Sequence, residues 1–88
     1  MMEQRIEKPE LAARVAARTQ GDAGTVEQIL DATLEEIYQA LKRGESVSLR
    51  NFGTFYVREE RSSRVFRFNP SQKWRALFGW SSTYRGEL

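Results

Sequence analysis

The sequence predicts an α+β fold, with a helical first half, a three-stranded antiparallel sheet and a short closing helix. Three observations predict it. Apolar residues recur at helical spacing up to Gly44, the period drops to two after it, and Pro70 precedes one last stretch of helical spacing. A chain of 88 residues is expected to form one domain, 1–88, with a modest core.

Residues 1–8 are polar and are expected to be frayed. Pro9 suits the first position of a helix, where its missing N–H goes unused, and Glu10 complements the positive end of the dipole. Leu11, Ala12, Val15 and Ala16 then share one face while Arg14 and Arg18 point to water, so a helix is expected from Pro9 to Arg18. Thr19, Gln20 and Gly21 end it. The second helix carries a longer stripe of Val26, Ile29, Leu30, Thr33, Leu34, Ile37 and Leu41. Its start lies at Asp22, as N-cap, or at Thr25, which with Gln28 would make a capping box. Lys42 and Arg43 sit in its last turn, and Gly44 supplies the residue past its end. Two amphipathic helices with so short a link predict a helical hairpin.

Ser46–Leu49 and Thr54–Val57 are strand-forming runs separated by Arg50, Asn51, Phe52 and Gly53, and Asn and Gly tolerate the positive φ of a tight turn. Phe55 and Val57 share one face; Thr54, Tyr56 and Arg58 share the other. A polar stretch from Glu59 to Arg64 follows, and Val65–Phe68 resumes strand character with Phe66 and Phe68 on one face. Asn69, Pro70 and Ser71 stop that strand. Pro70 also fits a helix start, and residues 72–78 would give about two turns ending at Gly79. Residues 80–88, a tail with Trp80 and Tyr84, show no period.

Several function classes are excluded by composition. Without Cys or His, the usual zinc sites and the Ser/His or Cys/His nucleophile pairs cannot be built. Asp31, Glu35 and Glu36 read as a solvated helix face, so no catalytic residue, metal, cofactor or small-molecule substrate is expected. No apolar run approaches the roughly 18–20 residues that span a bilayer, and the expectation is a soluble intracellular protein without a membrane partner. Charge is distributed unevenly. Residues 1–44 hold 6 basic and 8 acidic side chains, whereas residues 45–88 hold 8 basic and 4 acidic, which hints at a polyanionic partner.

Phe52, Phe55, Phe66, Phe68, Trp74 and Phe78 are too much aromatic surface for three strands beside one short helix, since each such side chain buries about 150–250 Å². A second copy of the chain is the simplest sink. A homodimer is expected, with Ile37, Leu41, Phe52, Phe55, Phe66, Phe68, Trp74 and Phe78 forming its shared interior.

Three segments, Ala40 to Val47, Asn51 to Arg58 and Phe68 to Lys73, carry a family resemblance. Together they resemble the bacterial histone-like HU and integration host factor family over about residues 8 to 79, with the F-G-x-F turn the most specific feature. The resemblance implies an intertwined dimer whose sheet forms a saddle over double-stranded DNA. It also implies two long β-arms with a Pro at each tip that wedges into the minor groove. Here only Glu59 to Val65 separate the second and third strands, so the arm is expected to be truncated. Reading Asn69-Pro70 as the arm tip instead would leave 18 residues for the rest of the fold, which is too few. Asn51 stands where the family usually has Gly, and its tolerance of the left-handed region should preserve the turn.

The same resemblance turns Arg58, Arg61, Arg64 and Arg67 into a DNA-facing basic band, doubled across the dimer; the plainer reading is a solvated strand edge paired with Glu59 and Glu60. Arg50 and Asn51 at the hairpin turn, and Lys73 and Arg75 on the last helix, are further candidates for backbone contact. The four phenylalanines read as core rather than as stacking platforms for bases. The expected function is a dimeric, largely sequence-neutral DNA-binding protein of the cytoplasmic nucleoid that bends DNA little for want of arms. The alternative is a dimeric protein-interaction module that has lost the nucleic acid.

Overall fold

In the computed structural model, which describes residues 4–78, helix boundaries fall where capping chemistry puts them. The first helix, α1, runs Lys8–Thr19 with Pro9 in its first turn and ends on Gln20 in the left-handed region at φ 56°. The Gly21 N–H returns to the Ala16 carbonyl at 2.9 Å. The second helix, α2, spans Ala23–Lys42. Its start is decided by Asp22, whose carboxylate accepts from the Thr25 N–H at 2.9 Å and the Thr25 hydroxyl at 3.2 Å. Those bonds hold the Asp22 carboxyl below the usual carboxylate range. At the other end Gly44 sits at φ 83°. Gly44 donates to the Leu41 carbonyl and Glu45 to the Ala40 carbonyl, each at 3.0 Å, closing the helix in a Schellman turn.

The chain divides into two compact units, one through Glu36 and one from Ile37, so the boundary falls inside α2. In the first unit Ala12 and Ala16 are buried. Lys8 forms an ion pair with Asp31, and that contact raises the Lys8 pKa.

The second unit contains a sheet of order β1-β2-β3, formed by Val47–Leu49, Gly53–Glu60 and Ser63–Pro70, all antiparallel. Arg50, Asn51 and Phe52 connect β1 to β2, with Asn51 at φ 65° and the Phe52 N–H bonded to the Leu49 carbonyl at 3.0 Å. Gly53 is required by close approach: a Cβ there would lie 2.6 Å from both the Asn69 carbonyl oxygen and the Phe68 ring. Both later strands are longer than expected. Residues 59–64, read from sequence as a polar connection, extend the ladder to Glu60↔Ser63 and leave only Arg61 and Ser62 to turn, with Arg61 at φ 56°. The directly opposed pair Glu59↔Arg64 supplies an attractive cross-strand contact in that extension. The hairpin therefore closes without any further arm.

Pro70 is the last residue of β3 rather than the first of a helix, and α3 covers Gln72–Phe78. The Phe52 carbonyl anchors this junction, accepting from the Ser71 N–H at 3.0 Å and from the Trp74 indole N–H. Gly79, expected to stop α3, and the tail residues Trp80 and Tyr84 lie outside the described residues. Phe68 is the buried centre of this unit, with ring centroids 4.7 Å from Phe55 and 5.6 Å from Phe52. Phe55 reaches Phe66, Phe52 reaches Trp74, and Trp74 stacks on Phe78.

The interior of one chain is thin. Only Ala12, Ala16, Leu41 and Phe68 are buried apolar residues among those described, and no large side chain is fully enclosed. Of the expected shared interior, Leu41 and Phe68 are buried, and Ile37, Phe55 and Trp74 are half-buried. Phe52, Phe66 and Phe78 remain 43%, 57% and 58% exposed.

Candidate nucleic-acid interface

Strand alternation sorts the β2–β3 hairpin into two chemically distinct faces. The pairs Phe55↔Phe68 and Val57↔Phe66 put the aromatic residues on one face, and Tyr56↔Arg67 and Arg58↔Val65 fall on the other. Glu60 shares the face of Tyr56 and Arg58. The four arginines expected to make one band are thereby divided. They are spaced by three, whereas a strand repeats every two, so Arg64 and Arg67 on the same strand must point to opposite sides. Arg58 and Arg67 lie on the polar face, Arg61 sits in the turn, and Arg64 lies on the aromatic face.

Arg64 has structural partners there. Its Nη2 donates to the Leu41 carbonyl at 3.4 Å, and its Nε lies 3.8 Å from the Glu59 carboxylate. A cation at the carbonyl end of α2 is favourably placed against the helix dipole. Tyr38, Leu41, Lys42, Val57, Arg64 and Phe66 line an open groove of about 390 Å³ on this side.

On the polar face, Glu60 is the organising residue. Its Oε2 lies 3.2 Å from the Arg58 Nε and accepts a hydrogen bond from the Arg67 Nη2, also at 3.2 Å. The sequence flagged both glutamates as partners for arginine, but only the strand register shows that Glu59 serves one face and Glu60 the other. Tyr56, which sequence reasoning did not select, is half-buried beside this pair. The remaining candidates are dispersed: Arg50 and Asn51 are exposed in the β1–β2 turn, Lys73 is exposed on α3, and Arg75 is half-buried there. Among the described residues no carboxylate pairs with Arg50, Arg61, Lys73 or Arg75. No cluster of three or more His, Cys, Asp and Glu side chains offers a cation site among them either.

Two helices leading into three antiparallel strands and a closing helix define the class: this is the α+β fold of the HU proteins. HU from Thermotoga maritima superposes with a TM-score of 0.71 at 35% identity, over 82% of this chain and 97% of that one. The protein in an Anabaena HU–DNA cocrystal structure gives a TM-score of 0.73 at 27% identity, over 82% and 96% of the two chains. Residues 6–76 match the family described as bacterial DNA-binding protein, and the chain belongs to that family. It is 39% identical over 61 residues to DNA-binding protein HU-beta of Neisseria meningitidis, covering 67% of this chain and 68% of the relative. It is 48% identical over 70 residues to integration host factor subunit beta of Agrobacterium tumefaciens, covering 70% and 67%.

Proposed function

We propose that the protein is a homodimeric histone-like protein of the bacterial nucleoid that binds duplex DNA through phosphate contacts, with little regard for sequence. The observation that carries this reading is the two-faced hairpin: aromatic groups left exposed on one side for a second copy, and Arg58 and Arg67 on the other for the polyanion. Arg50, Arg61, Lys73 and Arg75 are the additional basic candidates. The two-residue turn at Arg61 and Ser62 holds no proline and no large apolar group, so the hairpin has no side chain suited to prising base pairs apart. DNA should accordingly be bent little.

Mobility shift of duplexes of several sequences across a salt series tests the reading. Each phosphate neutralised adds about 0.9 to the slope of log affinity against log salt, so affinity should fall steeply and to a similar extent for every sequence. Affinity independent of salt, or confined to one sequence, refutes it. A second reading, a dimeric interaction module without nucleic acid, is favoured by Glu59 and Glu60, which form ion pairs with three of the hairpin's arginines. A protein partner that survives nuclease treatment, together with no duplex binding at low salt, would select it.

A further inference from the structure

We infer that Glu60 occupies, from within the chain, an oxyanion subsite formed by Arg58 and Arg67, so that a phosphate group binding there must displace its carboxylate. This deepens the nucleic-acid reading and rests on it for the identity of the ligand as a DNA phosphodiester.

One oxygen, Glu60 Oε2, lies 3.2 Å from a nitrogen of each guanidinium. Guanidinium groups recognise carboxylate and phosphate oxygens with the same fork of donors, so a position that suits Oε2 between two arginines suits a phosphate oxygen equally. The site has an inner wall and an open side. The Arg67 and Glu60 side chains are 28% and 35% exposed, whereas Arg58 is 60% exposed. Glu59 cannot substitute, because the register turns it to the aromatic face beside Arg64. The occupant is held loosely: an exposed ion pair shifts an equilibrium only about 1.5- to 5-fold. Displacement by a ligand that brings several other phosphates to the same surface is therefore within reach.

Two consequences separate this device from a general excess of negative charge. With Glu60 in place, Arg58 and Arg67 already carry a fixed counter-charge, and fewer mobile ions are released when a phosphate takes over. Removing the carboxylate should both tighten binding and steepen its salt dependence. Both effects should also require the two arginines.

The experiment compares wild type, E60Q, E10Q, R58Q/R67Q and R58Q/E60Q/R67Q by fluorescence anisotropy on a mixed-sequence duplex across a salt series. Circular dichroism and E60A serve as folding controls. Glu10 is exposed and paired with Arg14 on α1, so E10Q removes the same charge from a carboxylate that has its own partner. E60Q is expected to bind about three- to fivefold more tightly at low salt, with a slope steeper by about one to two units, while E10Q changes affinity by less than about twofold. The gain should vanish in the R58Q/R67Q background. In parallel, NMR signals of the Arg58 and Arg67 Nε–H groups are titrated with inorganic phosphate, and E60Q should respond at lower concentration than wild type. Equal duplex affinities for E60Q and E10Q with equal phosphate responses in E60Q and wild type overturn the inference while leaving DNA binding intact. Phosphate responses that differ as stated, with no duplex binding by any variant, retain the subsite and refute the nucleic-acid reading.

Discussion

Phe66→Ala measures directly how much of this fold depends on a second copy. An aromatic side chain offers about 200 Å², and Phe66 is 57% exposed in the single chain. Roughly 110 Å² per protomer is therefore available for burial, equivalent to about 2.8 kcal/mol at 25 cal/mol per Å². Two copies contribute up to about 5–6 kcal/mol to the dimer, or about four decades in its dissociation constant. If partner contacts cover only half of that surface, the loss is about two decades. Thermal melts at protein concentrations from low to high micromolar provide the assay, because a dimer that unfolds to monomers melts at a temperature that rises with concentration. Sedimentation equilibrium supplies the dissociation constant. Wild type should be dimeric at low micromolar concentration, and Phe66→Ala should melt lower, with dissociation visible in the same range. A dissociation constant within about threefold of wild type would refute the assignment of this face to a second copy.

Three further outcomes are expected. Gly53→Ala places a methyl group against the Asn69 carbonyl and the Phe68 ring at a backbone φ of 153°; it should cost about 2–4 kcal/mol in denaturant unfolding, and a loss under about 0.5 kcal/mol would contradict the packing described. Asp22 has a depressed pKa in the folded chain, so its contribution to stability is complete above the unfolded carboxyl value near 3.9 and is lost as pH falls through the lower folded value; melting midpoints of wild type and Asp22→Ala should differ at pH 6 and converge on acidification below about pH 4. Arg64→Gln removes a hydrogen bond to the Leu41 carbonyl and should lower stability by about 1 kcal/mol while leaving the salt slope of DNA binding unchanged; a slope reduced as far as in Arg67→Gln would return Arg64 to the DNA-facing surface.

What could be read in advance was local. The Asp22 cap, the Gly44 terminator, the left-handed tolerance of Asn51 and the switch of period after Gly44 all act within a few residues of chain, and each lies where local chemistry places it. The extent of β2 and β3 was not legible, because the Glu59↔Arg64 contact is a cross-strand term that appears only once the register is known. The same limit misplaced Arg64. Arginines three apart look like a band along a chain, and only the period of a strand shows that successive ones fall on opposite faces. The surplus of aromatic residues pointed to a second copy, and family resemblance turned a hint of charge asymmetry into DNA, which does not follow from a net charge of +2.

Charge compensation at the hairpin gives the basic residues two distinct kinetic roles. Arg58 and Arg67 are tied to Glu60, and Arg64 to Glu59. Four arginines against two glutamates leave the hairpin with half of its basic charge when viewed from more than a Debye length, about 8 Å at physiological ionic strength. The long-range pull on a polyanion then falls to residues without such a carboxylate among the described residues: Arg61 at the tip, Arg50 at the opposite turn, and Lys73 and Arg75 on α3. Arg67 matters only at contact, once a phosphate has competed for the place held by Glu60. Exposed charges mainly steer encounter, whereas charges in close contact mainly set the lifetime of the complex. Arg61→Gln should therefore slow association several-fold at low salt and lose most of that effect at high salt, with dissociation nearly unchanged. Arg67→Gln should leave association nearly unchanged and speed dissociation about tenfold, a loss typical of a charge-assisted bond. Stopped-flow anisotropy with a labelled duplex separates the two rates, and the opposite pattern would mean that the carboxylates do not mask this hairpin at a distance.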